Sequence, residues 1–208
     1  QLSDLHYGIE INNYWNKYSP EICKHRLSVL RDKIIEKCAK ENISKLYVIN
    51  LGDLIAGRIH TPLRINSRMD VVSQTQQISE LIAQLLADLS TYVDVIEYYD
   101  CLDNHSRVEP IKENSLNLES LARFTAWYLK ERLKQFLDIE EVGQIGGGKN
   151  KVTNKIDVAS IKSIWNNGKF NEEFDINDFI DNFKINENYN DIAEWVYNKI
   201  TSEDEKDT

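Results

Sequence analysis

Apolar residues along the chain alternate between stretches with a helical period and short unbroken runs. Residues 20–42 form a helical stripe, with Ser19 at the cap position and Pro20 in the first turn. The run KLYVINLGD that follows has no helical period, which is typical of a strand buried on both faces. Helical spacing returns over residues 67–90 and 115–136, and the strand-like run YVDVIEYYD separates these two stretches. This alternation predicts an α/β fold, with a mostly parallel sheet flanked by helices.

The pattern changes after about residue 139. The stretch EEVGQIGGGKNK is rich in glycine and indicates a linker or loop over residues 139–150. Residues 151–208 contain seven lysines and thirteen acidic residues, with phenylalanines recurring from Phe170 to Phe183. The sequence therefore predicts an α/β domain over residues 1–138, followed by a small, acidic, mainly helical segment that could dock a partner.

Length, charge and cysteine content narrow the class of protein. A chain of 208 residues suits one domain with an appendage, and no apolar run is long enough for a membrane helix. The formal net charge of −9 argues against a protein that coats nucleic acid with a broad basic face, although bound cations can supply positive charge locally. The three cysteines are scattered along the chain without a CxxC spacing, which indicates reduced thiols. We therefore expect a cytoplasmic protein that does not bind membranes.

The opening residues QLSDLHYG bring together two side chains that bind metals. Asp4 and His6 are two residues apart behind a short apolar lead-in, and residues two apart in a strand point to the same face. Gly8 lets the chain turn away sharply. A carboxylate beside an imidazole suits a divalent transition metal, although one such pair alone is more typical of a solvated loop.

The two other predicted strands end in polar residues of the same kind. Asp53 directly follows Gly52 after the second strand, and Asn104 and His105 lie in the loop after the third. The carboxyl ends of parallel strands meet at one edge of a sheet, where their loops converge on a crevice. The sequence therefore predicts that these side chains share one site.

The set D-x-H, G-D and N-H at the ends of consecutive strands resembles the calcineurin-like metallophosphoesterases, and within them the phage and prokaryotic members near the DNA-repair exonucleases. The resemblance covers roughly the first 137 residues. It implies a site for two divalent metal ions, with manganese favoured over iron or zinc. In that site Asp4 and His6 would bind the first metal, Asp53 would bridge both, and the amide oxygen of Asn104 would bind the second.

The same resemblance implies hydrolysis of a phosphodiester, possibly DNA, by metal-activated hydroxide. His105 would not be a ligand but would stabilise the transition state or protonate the leaving oxygen. Arg107 is either a phosphate clamp or part of a surface salt bridge. Arg58 and His60, with Arg64, form either a small basic patch for substrate phosphates or an ordinary solvated loop.

The sequence departs from the pattern of this superfamily in two respects. Members normally add a histidine after a later strand and a G-H-x-H pair after another, whereas this chain has no histidine beyond His105. The chain is accordingly a fragment of a longer protein, or a partner chain or second copy completes the site, or it is a catalytically degenerate scaffold or interaction protein. The absence of Met at Gln1 favours the fragment. Asp103 replaces the usual glycine before the Asn-His pair, and its carboxylate is either solvated or a weak ligand.

Overall fold

The computed structural model of the protein describes residues 1–116, 119–137, 142–146, 149–151, 153, 155–160, 165–166 and 169–170. The chain divides into two units, Gln1–Ser163 and Ile164–Thr208. The helices and strands of the first unit are, in chain order, β1 (Ile11–Asn12), β2 (Lys17–Tyr18), α1 (Pro20–Glu41), β3 (Lys45–Asn50), α2 (Thr61–Asn66), α3 (Val71–Leu89), β4 (Val95–Asp100), α4 (Leu121–Leu137), β5 (Gly143–Gly146), β6 (Lys149–Lys151) and β7 (Ile156–Ser160). In the second unit, β8 (Trp165–Asn166) pairs with β9 (Lys169–Phe170) in antiparallel fashion.

A five-stranded sheet lies at the centre of the first unit, in the strand order β3-β4-β7-β5-β6. The first four strands run parallel, and β6 adds an antiparallel edge. The N-terminal residues extend the sheet beyond β3, because the Leu2 N–H donates to the Ile49 carbonyl at 2.7 Å and the Leu51 N–H donates to the Leu2 carbonyl at 2.9 Å. Helices flank this sheet, and the predicted α/β architecture is confirmed.

The helices begin at residues that satisfy their first backbone N–H groups. The Ser19 hydroxyl accepts a hydrogen bond from the Ile22 N–H at 3.3 Å at the start of α1, as its cap position predicts. The Asp70 carboxylate does the same for α3, accepting from the Val72 N–H at 3.0 Å. The α3 and α4 helices start a few residues later than their apolar pattern predicts, and the short α2 helix was not predicted. Within the described residues, no helix is both long enough and apolar enough to cross a membrane.

The core lies between the sheet and α3, which packs against both α1 and α4. Its fully buried apolar side chains include Ile78, Ile82 and Leu86 of α3, Leu129 and Leu133 of α4, Ile96 of β4 and Ile156 of β7. Each such side chain stabilises the fold by roughly 1.5–3 kcal/mol relative to an exposed one. This packing holds the strand ends, and therefore the loops that follow them, in fixed positions.

One prediction about the C-terminal half differs from the structure. The glycine-rich stretch over residues 139–150, predicted to be a linker or loop, instead contributes β5 and most of β6 to the sheet. Strand propensity is low in this stretch, but hydrogen bonding to neighbouring strands outweighs it. In the segment from residue 151, predicted to be mainly helical, the described residues include β7, which pairs with both β4 and β5. The predicted aromatic stripe beyond Phe170 and the later amphipathic helix lie outside the described residues.

Candidate metal centre

Three loops at the carboxyl edge of the parallel sheet meet at one place. The loop after Leu2 runs beside the loop after β3, because the His6 N–H donates to the Asp53 carbonyl at 2.9 Å and the Tyr7 N–H to the Leu54 carbonyl at 2.9 Å. The loop after β4 carries His105. Loops at this edge of a parallel sheet converge, which is why open α/β proteins build their sites here.

The backbone at the predicted site residues is left-handed rather than extended. Asp4, His6 and Asp53 have φ angles of 54°, 42° and 55°. The prediction that Asp4 and His6 share a strand face is therefore wrong in its geometry, since the pairing is interrupted between isolated bridges at Leu2 and Tyr7 and the two side chains approach each other through kinked backbone. A residue with a side chain pays about 1–2 kcal/mol for this conformation. Strain of this kind accumulates at functional sites, where the surrounding structure enforces it.

Two imidazoles and a carboxylate form the centre of the site. Ligand atoms of His6, Asp53 and His105 all lie within 4.8 Å of one another. The His105 Nε2 is 3.7 Å from the Asp53 Oδ2, and the rings of His6 and His105 have centroids 4.5 Å apart. Asp4 joins from the solvent side, with its Oδ1 3.9 Å from the His6 Nε2 and its side chain 71% exposed. We call His6, Asp53 and His105 the three-residue centre.

Asn104 and His60 lie against the other side of His105. The rings of His60 and His105 have centroids 4.5 Å apart, and the Asn104 Nδ2 is 3.0 Å from the His60 Nε2. The sequence predicts Asn104 as a metal ligand and His60 as a substrate-binding residue. The structure brings these two side chains into contact with each other and connects them to the three-residue centre through the His105 ring.

A hydrogen bond fixes the orientation of the His105 ring. Its Nδ1 lies 3.0 Å from the carbonyl oxygen of Ala56, and the residue is only 7% exposed. Because a carbonyl oxygen can only accept, Nδ1 carries a proton, and Nε2 faces Asp53. A backbone carbonyl behind the imidazole is the usual support of a histidine that binds a metal. The geometry therefore makes His105 available as a ligand, a role that the resemblance does not give it.

Two features of the three-residue centre fit a bound cation. The His6 Nδ1 is buried and has no hydrogen-bond partner among the described residues, a situation that costs about 1–3 kcal/mol. Burial raises the pKa of Asp53, and the imidazoles of His105 and His6 offset this rise only in part, since the carboxylates of Asp103 and Asp4 add to it. A bound cation would give the His6 Nδ1 a partner and would stabilise the charged form of the Asp53 carboxylate. Nitrogen donors combined with oxygen donors suit a divalent transition metal such as manganese, iron or zinc.

The Asp103 carboxylate accepts two hydrogen bonds from its own loop. Its Oδ1 accepts from the Ser106 N–H at 2.7 Å, and its Oδ2 accepts from the Ser106 hydroxyl at 2.7 Å. The half-buried carboxylate therefore closes the turn that carries Asn104 and His105, a role that neither interpretation of the sequence includes. Gly52 is needed beside it, since a Cβ there would lie 2.6 Å from the Asp103 Cβ.

Two predicted substrate-binding arginines occupy different surroundings. Arg107 donates from Nε to the Glu109 carbonyl at 2.9 Å and from Nη2 to the Pro110 carbonyl at 3.3 Å. Its guanidinium therefore supports its own loop, and its role as a phosphate clamp stays a prediction. Arg58 is exposed and lines a cavity beside the site.

Sequence reasoning missed two residues that support the site from behind. Gln74 is only 1% exposed and accepts a hydrogen bond from the Gly57 N–H at 3.0 Å. Gly57 has a φ of 72°, and a Cβ at that position would lie 2.2 Å from the His105 carbonyl oxygen. The signal for Gln74 was present, since it is a polar residue in the buried stripe of α3, one helical turn before Ile78.

The carboxyl group of Asp100, at the end of β4, is expected to make stability depend on pH. Burial raises the pKa of Asp100 to about 7, and its Oδ1 has no hydrogen-bond partner among the described residues. An unfolded aspartate has a pKa of about 3.9, so the free energy of unfolding should fall as the pH rises from about 4 to 7 and stay low above that.

We therefore expect Asp100→Asn to raise the free energy of unfolding at pH 8 by roughly 2–4 kcal/mol, and by clearly less at pH 5. Urea unfolding of both proteins in the presence of a chelator measures the difference. An equal difference between variant and wild type at the two pH values would contradict the prediction.

Comparison of the chain with protein-family models, with curated proteins and with solved structures found no match. The resemblance to the metallophosphoesterases therefore depends on the motif residues and on their placement.

Proposed function

We propose that this chain is a metal-dependent phosphoesterase that hydrolyses a phosphodiester, as the resemblance to the calcineurin-like metallophosphoesterases implies. The observation that carries the proposal is the three-residue centre, with ligand atoms of two imidazoles and a carboxylate within 4.8 Å of one another. Its position beyond the carboxyl ends of parallel strands supports the proposal, because this edge is where α/β enzymes bind substrates.

In this proposal His6 and Asp53 hold a divalent metal, with Asp4 beside them and the His105 Nε2 directed toward the same point. A bound divalent transition metal polarises the phosphoryl oxygen and makes hydroxide available near neutral pH. The Ala56 carbonyl keeps the proton of His105 on Nδ1, so that Nε2 can act at the reaction centre. Asn104 keeps the His60 ring in place next to His105.

The second metal ion remains part of the proposal. The three-residue centre offers the donors for one cation, and a second would use Asp53 as a bridge together with the Asn104 amide oxygen. Two cations in a phosphoesterase site are about 3.5–4 Å apart and need a shared anion between them. The number of ions bound per chain is therefore the direct test of the two-metal arrangement.

The test combines metal binding with hydrolysis. Protein freed of metal with a chelator is titrated with Mn²⁺ in a calorimeter, and its hydrolysis of bis(p-nitrophenyl) phosphate is followed by absorbance. We expect saturable binding of two ions and hydrolysis that depends on added Mn²⁺. Binding of one ion would overturn the two-metal arrangement, and binding of none would overturn the proposal in favour of a degenerate scaffold.

His105→Asn separates the two roles open to His105 in the same experiment. If His105 is a ligand, Mn²⁺ affinity falls about 10-fold or more; if it acts on the phosphate, kcat falls about 10²-fold with Mn²⁺ affinity retained. His25→Asn is the matched control, since His25 is an exposed residue of α1, and it should change neither quantity. If His105→Asn changed neither Mn²⁺ affinity nor kcat, His105 would have no part in the site.

A further inference from the structure

A cavity of about 420 Å³ beside the three-residue centre is lined by an unusual set of charges. Three of its lining residues are arginines, Arg58, Arg64 and Arg68, and Asp70 is its one acidic lining residue. The chain as a whole has a formal net charge of −9, so this concentration of positive charge runs against its composition. We call this feature the arginine cavity.

The charges of the arginine cavity are available to a ligand. Arg68 pairs with Glu10 through a contact of 3.1 Å between Nε and Oε2, but Arg58 and Arg64 make no ion pair with any residue of the described part of the chain. The carboxylate of Asp70 is directed at the first turn of α3, where it accepts from the Val72 N–H at 3.0 Å. Two exposed guanidinium groups without a carboxylate partner are suited to a bound phosphate, because their planar forks match its oxygens.

The arginine cavity adjoins the three-residue centre through the backbone. Gly57 lines the cavity and directly follows Ala56, whose carbonyl oxygen holds the His105 ring. His60 lies in the chain between Arg58 and Arg64, and its ring contacts His105 with centroids 4.5 Å apart. The three-residue centre and the arginine cavity are therefore connected through residues 56–60.

We propose that the arginine cavity binds the phosphate next to the scissile one in a nucleic-acid strand. The inference rests on the proposed function and names its substrate class: a polynucleotide, whose phosphates recur at every nucleotide, and not a phosphomonoester with a single phosphate. The volume is in the range of about 300–1,000 Å³ typical of ligand pockets, and so leaves room for a sugar beside the phosphate. DNA and RNA share this backbone chemistry, and the experiment distinguishes them.

The first test measures binding without catalysis. Fluorescence anisotropy with a labelled ten-nucleotide single strand, as DNA and as RNA of the same sequence, is recorded in the presence of a chelator. We expect Arg58→Ala/Arg64→Ala to weaken binding about 10-fold or more, and to reduce the slope of log affinity against log salt by about 0.7, because one phosphate contact is lost. Lys33→Ala/Lys40→Ala is the matched control, since it removes two exposed charges from α1, and it should change binding less than twofold.

The second test follows the hydrolysis of the same strand in Mn²⁺. For Arg58→Ala/Arg64→Ala we expect KM to rise about 10-fold with a change in kcat of less than twofold, since the contact lies beside the reacting phosphate and not on it. The ratio of kcat/KM for the strand to that for bis(p-nitrophenyl) phosphate should fall by the same factor. An unchanged ratio would overturn the proposal.

The outcomes separate this inference from the proposed function. If the wild-type protein binds the strand through Arg58 and Arg64 but hydrolyses no diester, strand binding by the arginine cavity is supported and the proposed phosphoesterase activity is overturned. Suppose instead that the protein hydrolyses bis(p-nitrophenyl) phosphate but binds neither strand, or that the double variant binds the strand as tightly as the wild type. Either result would overturn strand binding by the arginine cavity and leave the proposed phosphoesterase activity standing. Equal weakening by the α1 control would also overturn strand binding by the arginine cavity, because the attraction would then be unspecific. Tighter binding of the DNA strand or of the RNA strand shows which nucleic acid the arginine cavity prefers.

Discussion

Asp53→Asn is expected to lower the Mn²⁺-dependent hydrolysis of bis(p-nitrophenyl) phosphate by about 10³-fold, the equivalent of roughly 4 kcal/mol of transition-state stabilisation. The substitution keeps the size of the side chain but removes its negative charge, which lies 3.7 Å from the His105 Nε2 and within the three-residue centre. A neutral amide can neither bridge two cations nor balance the charge of one. Mn²⁺ affinity, measured by calorimetry, should therefore fall together with activity.

The fold of Asp53→Asn should remain intact. Burial and the neighbouring carboxylates raise the pKa of Asp53, so that its charge costs stability in the metal-free protein. We expect the metal-free variant to be at least as stable as the wild type in urea unfolding. Asp94→Asn, at an exposed position before β4, is the matched control and should leave hydrolysis and metal binding unchanged. Full activity of Asp53→Asn would contradict both the metal centre and the proposed function.

The general location of the site could be predicted from the sequence because it depends on topology. Asp53 and His105 follow two apolar runs, and parallel strands deliver whatever follows them to the same edge of the sheet. The strand directions alone place both residues at this edge, whatever the conformations of their side chains. The contact between His60 and Asn104 could not be predicted in this way, since it depends on the path of an irregular loop.

The local geometry of the site and the C-terminal strands followed less directly from sequence. Nothing in D-x-H indicates that Asp4 and His6 adopt left-handed backbone, because only hydrogen bonds to the neighbouring loop enforce it. The strand β5 lies in a stretch rich in glycine, asparagine and lysine, whose propensity favours loops. It forms because it pairs with β7 on one side and β6 on the other, which is a tertiary effect.

Gly57→Ala is expected to lower the free energy of unfolding by about 3 kcal/mol or more. An alanine at a φ of 72° pays about 1–2 kcal/mol for left-handed backbone. The remainder comes from its Cβ, which would lie 2.2 Å from the carbonyl oxygen of His105, a backbone atom that can move only together with its loop. Urea unfolding of metal-free protein measures the loss.

The same substitution should disturb the site, because the atom displaced belongs to His105. A shift of the His105 backbone weakens the hydrogen bond between its Nδ1 and the Ala56 carbonyl, now 3.0 Å long, and moves Nε2 away from Asp53. We therefore expect Mn²⁺ affinity to fall by about 10-fold, as when a residue that supports a ligand is lost.

Asn42→Ala is the control that isolates the backbone cost. Asn42 also has left-handed backbone, with a φ of 53°, but it is exposed at the end of α1. Its replacement should cost about 1 kcal/mol and leave Mn²⁺ affinity unchanged. If Gly57→Ala lost no more stability than Asn42→Ala and kept its Mn²⁺ affinity, the close contact between Gly57 and His105 would have no part in positioning the imidazole. In that case the position of His105 would depend on the turn closed by Asp103 and Ser106.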